Sequence, residues 1–311
     1  MLTDGSIIRN ESVVIAIRFV LAEEFMIAVG YINITEDLKT YGFVINKKKV
    51  YRLMKENRLL LGSVIRGENE KRRFVTWRVQ QASRPMEQLC MDIKYVHIAG
   101  EKKNALLLTV LDVYSRSIVG QVLWWRIRKE HVIWLLHQIL QQQQTRKITL
   151  RNDNGSQFVA NVVRQYLADQ GITQEFTHVA TPEENCFIEA YHSIVEKQLL
   201  QFCEFADINE AKQVFDRWKT FYNERKRHGS LGRKTPNQVL VEYGLAVASI
   251  RQQTAPKPEQ MSRSAAKSPE ALAAAAPFNL DICGGEANFA DSNATNMGQQ
   301  RLTVLKNLSS Y

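Results

Sequence analysis

The 311-residue chain has few cysteines: Cys90, Cys186, Cys203 and Cys283, with no CxxC pair and no two histidines at zinc-finger spacing. It therefore reads neither as a disulfide-stapled small fold nor as a zinc protein, and its thiols read as reduced. Long apolar runs are also missing. The longest near the N-terminus, residues 13–29, is broken by Arg18, Glu23 and Glu24, so no segment reads as a bilayer span. A basic lead with a small-residue cleavage site, the mark of a secretory signal, is absent too. Proline is sparse, and four of the seven prolines fall after residue 247. With 45% apolar and 23% charged residues, the chain is neither collagen-like nor wholly disordered. Its length suggests about two domains with a core of their own.

Acidic residues are scarce in one region. Residues 41–80 hold eleven Lys and Arg against three Glu, a net +8 in a chain whose whole excess is +9. A basic block this concentrated suits a polyanion, either nucleic acid or an anionic membrane surface, although an ordinary solvated face would have the same composition.

Residues 1–29 show no clean cap or period. After Gly30, Thr35 is a candidate N-cap for a short helix over 36–41, with Gly42 ending it. Asn46 is a candidate cap for a second helix. There Val50, Leu53 and Met54 share one face and Lys47, Lys48, Lys49, Arg52 and Lys55 cover the rest. Two short helices joined by a tight turn, the second strongly basic, make a helix-turn-helix candidate. Residues 62–84, polar and basic with Lys71, Arg72 and Arg73, read as a linker.

From about residue 88 the period changes. Residues 89–98, 105–112 and 118–124 read as three successive strands. A helix over 130–143 follows, then a strand over 147–151, a helix over 157–170 and a short strand near 175–177. A long helix starts after Thr181, and another spans 208–225. This order predicts a mixed α/β sheet flanked by helices. Residues 247–311, rich in Ala, Ser, Asn and Gln, read as a largely disordered tail with at most a short terminal helix.

Three carboxylates sit at informative places. Asp92 interrupts an apolar strand, where a charge is costly unless it has a partner or a task. Asp153 lies just past the C-terminal end of a strand, where α/β folds tend to place ligand-binding groups. Glu189 lies on the helix after Thr181. That helix starts with Thr181 as N-cap, Pro182 at N1 and Glu184 at N3, a capping box, which puts Glu189 in its second or third turn. Asn185, His192, Ser193 and Glu196 fall on the same face.

Thirty-five residues separate Asp153 from Glu189. Asp92, then Asp153-Asn154-Gly155-Ser156-Gln157-Phe158, then Asn185 and Glu189 resemble the D,D(35)E signature of retroviral-integrase-like DDE transposases. Asp112-Val113-Tyr114-Ser115-Arg116 and Gly120 resemble that family's second-strand motif. Tyr222-Asn223, Arg227-His228, Leu231-Gly232 and Thr235-Pro236 resemble its C-terminal motif. Residues 30–60 look like the helix-turn-helix that precedes the core in the second-frame (OrfB) catalytic subunit of the "IS three" family of bacterial insertion sequences.

The resemblance implies a ribonuclease-H-like fold with four parts: a helix-turn-helix region over 1–62, a basic linker over 63–84, an integrase catalytic core over 85–246 and a tail over 247–311. It implies metal-dependent DNA 3′-end cleavage and strand transfer, with Asp92, Asp153 and Glu189 holding two Mg²⁺ or Mn²⁺ ions. The implied partners are double-stranded DNA (terminal inverted repeats and target), further copies of the chain on DNA, and a first-frame protein with a leucine zipper. The implied location is the bacterial cytoplasm, at the nucleoid. DNA contacts are expected from Lys47, Lys48, Lys49, Arg52, Lys55, Asn185, Lys197, Arg227 and His228. Two other readings compete: a catalytically impaired DNA-binding repressor, and another ribonuclease-H-fold nuclease. The chain departs from the family pattern at Glu196, where a base usually stands seven residues after the glutamate. It departs also at Arg151-Asn152 and at Cys90-Met91, which precede the two aspartates.

Overall fold

The computed structural model describes residues 3, 7–61, 80–141, 147–178 and 182–244, Pro182 and Glu183 by their backbone alone. Most of the basic linker, Thr181, Cys283 and the tail expected over 247–311 lie outside the described residues. The chain divides into two compact units, one around its first 67 residues and one around the sheet.

The first unit holds three helices, α1 (Asn10–Leu21), α2 (Tyr31–Thr40) and α3 (Lys47–Glu56). Helix α1 lies where the sequence showed no clean period. Val13, Ile17 and Val20 are buried, but Ile15 and Phe19 on the other side are exposed, so apolar residues surround the helix and blur the signal. Its N-cap residue, Arg9, makes no side-chain cap bond.

Helix α2 starts earlier than expected, with Gly30 at its N-cap. Thr35 is interior to it, and its hydroxyl donates to the Tyr31 carbonyl at 2.7 Å. The reason is packing: Ile34 and Leu38, one turn apart, are both fully buried, so the apolar stripe runs back before residue 36. Gly42 follows the helix end at φ +83°, a conformation that glycine adopts without strain. Asn46 caps α3, its side chain accepting from the Lys49 N–H at 2.9 Å. Val50, Leu53 and Met54 are buried while Lys47, Lys48 and Lys49 are not.

The second unit is a five-stranded sheet of β1 (Gln88–Ile98), β2 (Lys103–Asp112), β3 (Ile118–Trp124), β4 (Thr149–Asn152) and β5 (Thr173–Phe176). The order is β3-β2-β1-β4-β5. β1, β2 and β3 pair antiparallel, and β4 joins β1 and β5 in parallel. This is a ribonuclease-H-like core, with helices α4 (Lys129–Gln141), α5 (Ser156–Val159), α6 (Asn161–Asp169), α7 (Cys186–Val195), α8 (Ile208–Glu224) and α9 (Pro236–Glu242), the last not expected from the sequence.

One face of the sheet, with Leu89, Met91, Leu108 and Val110, packs on the apolar stripe Val132, Leu135, Leu136 and Ile139 of α4 and on Val163, Tyr166 and Leu167 of α6. Gly120 on β3 lets α4 approach: a Cβ there would lie 2.5 Å from the Ile139 side chain. Alternation along β1 sends Cys90, Asp92 and Lys94 to the opposite face. There α7 buries Ile188, Tyr191 and Val195, and α8 buries Phe215, Trp218, Phe221 and Tyr222.

Two helices differ from the reading. The segment expected as one helix over 157–170 breaks at Ala160, whose ψ of 132° is extended, so α5 and α6 are separate. The helix expected after Thr181 begins as a 3-10 turn over Pro182–Asn185 and becomes α-helical only at Cys186. Thr181, the expected cap, lies outside the described residues; the Glu184 carboxylate accepts from the His178 N–H at 2.9 Å and contacts the His178 ring at 3.0 Å. Glu189 therefore lies in the first turn of α7. After Val195 the helix widens into a π-turn over Glu196–Leu200, so the regular 100° step fails beyond Glu196.

Candidate active site

The sheet register brings the two aspartates level. Cys90 on β1 pairs with Arg151 on the parallel strand β4. Two residues further along each strand are Asp92 and Asp153, which by the period-2 alternation face the same way. Helix α7 crosses this face and carries Glu189.

Electrostatics reports the same neighbourhood. Burial pushes the Asp92 carboxyl up to about 7, and the charges of Asp153 and Glu189 both push it further in that direction, opposed by a hydrogen bond from the Ile93 backbone N–H. Asp153 and Glu189 are exposed, whereas the Asp92 side chain is mostly covered. Among the described residues no three His, Cys, Asp or Glu side chains are placed so as to hold a metal ion together. The donor set still suits a hard divalent cation: three carboxylates, one of them disfavoured in its charged form by burial and by its neighbours' charge, would be relieved by a cation.

The loop after β4 fixes Asp153. Its Oδ1 accepts from the Gly155 N–H at 2.9 Å. A Cβ on Gly155 would lie 3.0 Å from that same oxygen and 2.3 Å from the Gln157 side chain, which explains the glycine in this motif. Asn152, fully buried, accepts from Gln174 at 3.0 Å and donates to the Asp153 carbonyl at 2.6 Å. Arg151 bonds Glu175 at 2.8 Å and the Glu184 carbonyl at 2.8 Å. It thereby ties β4, β5 and the approach to α7 together. The residues that depart from the family pattern before Asp153 thus hold its loop.

The motif after β2 is structural. The Asp112 carboxylate accepts from the Met86 N–H at 3.0 Å, the Ser115 N–H at 2.9 Å and the Ser115 hydroxyl at 2.5 Å, so a buried charge is fully bonded. Arg116 turns at φ +63°, bonds the Val113 carbonyl and lies 3.8 Å over the Phe187 ring at the start of α7. On β3, the Asn223 side chain accepts from the Ile118 N–H at 2.9 Å and donates to the Ile118 carbonyl at 3.0 Å.

Two further side chains lie beside the triad: His192, which the sequence already places on the Glu189 face, and Lys94, which it did not single out. His192 Nδ1 lies 3.5 Å from Asp92 Oδ2. Burial lowers its pKa to about 4, so this is a polar contact of a neutral ring rather than an ion pair. Lys94 Nζ lies 2.9 Å from Glu196 Oε2. The signal for both was available: His192 is three residues after Glu189 on a helix, and Lys94 is two after Asp92 on a strand.

The remaining expected contacts are dispersed. Asn185 is buried at the head of α7 with its Oδ1 unbonded, and Lys197 is exposed in the π-turn. Arg227 donates to the Arg233 carbonyl at 3.2 Å. His228 is turned inward: its ring meets Tyr222 edge-on at 4.8 Å, and its backbone N–H bonds the Lys234 carbonyl at 3.0 Å. The five basic residues of α3 belong to the other unit.

The integrase core domain family matches residues 82–182, and a second integrase core domain family matches residues 170–236. An uncharacterized 39.2 kDa protein of insertion element IS476 from Xanthomonas euvesicatoria is 26% identical over 216 residues, 69% of this chain and 61% of its own length. The putative transposase InsK of insertion element IS150 from Escherichia coli is 26% identical over 224 residues, 69% of this chain and 76% of its own length. Residues 82–236 thus match integrase core domains, and the chain is similar to proteins of insertion elements, a putative transposase among them. Among solved structures, the HTLV-2 integrase catalytic core in complex with magnesium covers 51% of this chain and 99% of its own, at 13% identity and a TM-score of 0.42. The chain spans 61% of the length of the first of these relatives. Among the described residues no helix is long and apolar enough to cross a membrane.

Proposed function

We propose that this transposase cleaves the 3′ ends of its insertion element and joins them to target DNA, with Asp92, Asp153 and Glu189 as the catalytic carboxylates. The observation that carries the reading is the shared face of β1, β4 and α7, where the charges of Asp153 and Glu189 bear on a buried Asp92. Asp92, Asp153 and Glu189 would hold two Mg²⁺ or Mn²⁺ ions, which when bound supply charge stabilisation to the attacking and leaving oxygens of an in-line displacement.

The protein's own contribution is positioning. The Gly155 N–H aims the Asp153 carboxylate. The neutral His192 ring occupies one side of Asp92 without competing as a cation. In the first step water displaces the 3′ oxygen from an end phosphodiester. In the second, the freed 3′-OH displaces a target 3′ oxygen. Each step exchanges one P–O bond for another, so no protein nucleophile is needed.

The DNA partners are the element's terminal repeats and the target duplex, bound by further copies of the chain and, at the ends, with a zipper-bearing first-frame protein. The basic face of α3 (Lys47, Lys48, Lys49, Arg52, Lys55), together with Asn185, Lys197 and Arg227, would bind phosphates; His228 would act through the shape of the Arg227 loop. The bacterial nucleoid is the corresponding location. The test incubates the full chain with terminal-repeat duplex, target plasmid and Mg²⁺. End cleavage followed by joined products supports the reading. Binding without cleavage would make the protein a repressor of element ends, and cleavage confined to RNA–DNA hybrid would make it another ribonuclease-H-fold nuclease.

A further inference from the structure

Lys94 is the cation of the candidate site that the function above does not use. It stands two residues after Asp92 on β1, so both side chains leave the same face of the sheet. Its side chain is 19% exposed, and its ammonium meets Glu196 Oε2 at 2.9 Å, on a carboxylate that is 60% exposed. A lysine is seldom covered to this degree unless it is paired. A pair with one exposed partner adds little to stability, because solvent screens it. Stability therefore does not account for the arrangement.

The surroundings suggest another role. Asp92, Asp153, Glu189 and Glu196 make this face acidic. A DNA strand reaching the triad brings further negative charge. The ammonium of Lys94 is a positive charge on this face, held in place by the bond between β1 and the residue that follows α7. Glu196 terminates the α-helical part of α7, where the chain enters the π-turn. Its carboxylate consequently reaches β1 from a helix end set by the burial of Val195 and Leu199.

Resting on the transposition reading, we propose that Lys94 contacts a DNA phosphate at the edge of the triad and that Glu196 is the positioning residue that aims its ammonium. The phosphate would share the ammonium with Glu196, since a lysine has three donors and the carboxylate occupies one.

The test compares wild type with K94A, K94R and E196Q, using the full chain and a labelled terminal-repeat duplex. Binding is measured with Ca²⁺ over a series of salt concentrations, and joining with Mg²⁺. K94A should weaken binding about tenfold and lower the salt slope by about 0.9, the value for one phosphate contact, whereas K94R should restore both. E196Q should leave affinity within about threefold and lower joining about tenfold, because a less well-aimed ammonium still attracts DNA but places it less precisely. Unchanged affinity and slope in K94A would overturn the phosphate contact, and unchanged joining in E196Q would overturn the positioning role. A wild type that binds with a Lys94-dependent slope but never joins DNA would overturn the transposition reading and leave the contact standing. K94A and K94R should melt within a few degrees of wild type; a K94R variant that folds but binds no better than K94A would also overturn the contact.

Discussion

Asp92 and His192 meet at 3.5 Å without neutralising one another. Burial raises the carboxyl to about 7 and lowers the imidazole to about 4, so at pH 8 the contact joins an anion to a neutral ring. The stability of the metal-free core should reflect this. Folded Asp92 keeps its proton up to about pH 7, whereas an unfolded aspartate releases it near pH ~4. The folded state therefore binds the extra proton, and this contribution is present at low pH and lost as pH rises through about 7. At pH 8 in EDTA, D92N should melt several degrees above wild type. Added Mg²⁺ should raise the melting temperature of wild type and leave that of D92N unchanged. Calorimetric melting at pH 5 and pH 8 checks this; equal melting of the two proteins at both pH values would contradict it.

Gly155 should be replaceable without loss of fold but not of activity. A methyl group there meets Asp153 Oδ1 at 3.0 Å and the flexible Gln157 side chain at 2.3 Å. The Gln can move away, but the carboxylate must shift. G155A should retain its melting temperature within a few degrees and lose roughly tenfold to a hundredfold in end cleavage, the scale on which small misplacements act. A loss of cleavage matched by a large fall in stability would assign the glycine to folding instead.

The C-terminal motif should separate into a structural and a DNA-facing part. His228 is buried against Tyr222, and Asn223 bonds both backbone groups of Ile118. N223A and H228A should each destabilise the core by about 1–3 kcal/mol through lost bonds and packing, with joining falling in parallel. R227A should lower joining without a comparable loss of stability. Melting curves beside joining assays decide it, and a stable but inactive H228A would return the histidine to the DNA contacts.

The first unit offers a test through salt. Changing Lys48 and Arg52 together to Ala should reduce the slope of log affinity against log salt by about 1.8, at about 0.9 per phosphate. N46A, which removes the cap on Lys49 N–H, should cost α3 about 1 kcal/mol and weaken binding without changing the slope. An unaltered slope in the double variant would leave α3 as a solvated face.

The sequence made much of this legible, and the exceptions have physical causes. The strands β1, β2 and β3 are long and apolar, so their periods stand out, and the Asp153 to Glu189 spacing points to the triad. Helix α1 was illegible because Ile15 and Phe19 leave it apolar on its exposed side. Thr35 suggested a cap because threonine often is one, but the burial of Ile34 beside it draws the helix start back to Tyr31. The α-helix starts later than expected because Pro182–Asn185 first makes a 3-10 turn, in which Glu184 pairs with His178. Lys94 was overlooked since its significance depends on which elements face each other, and pairing β1 with α7 is a tertiary fact. His228 looked exposed in a run of bases, and only packing on Tyr222 turns it inward.

The most direct measurement of the central claim is strand joining by the triad variants. Full-length wild type, D92N, D153N and E189Q would be incubated with terminal-repeat DNA and target plasmid in Mg²⁺, then in EDTA. The account predicts joined product from wild type in Mg²⁺ alone, and a loss of at least about a thousandfold in each variant with DNA binding retained. Joining by any one of the three variants at near wild-type rate, or joining by wild type in EDTA, would contradict it.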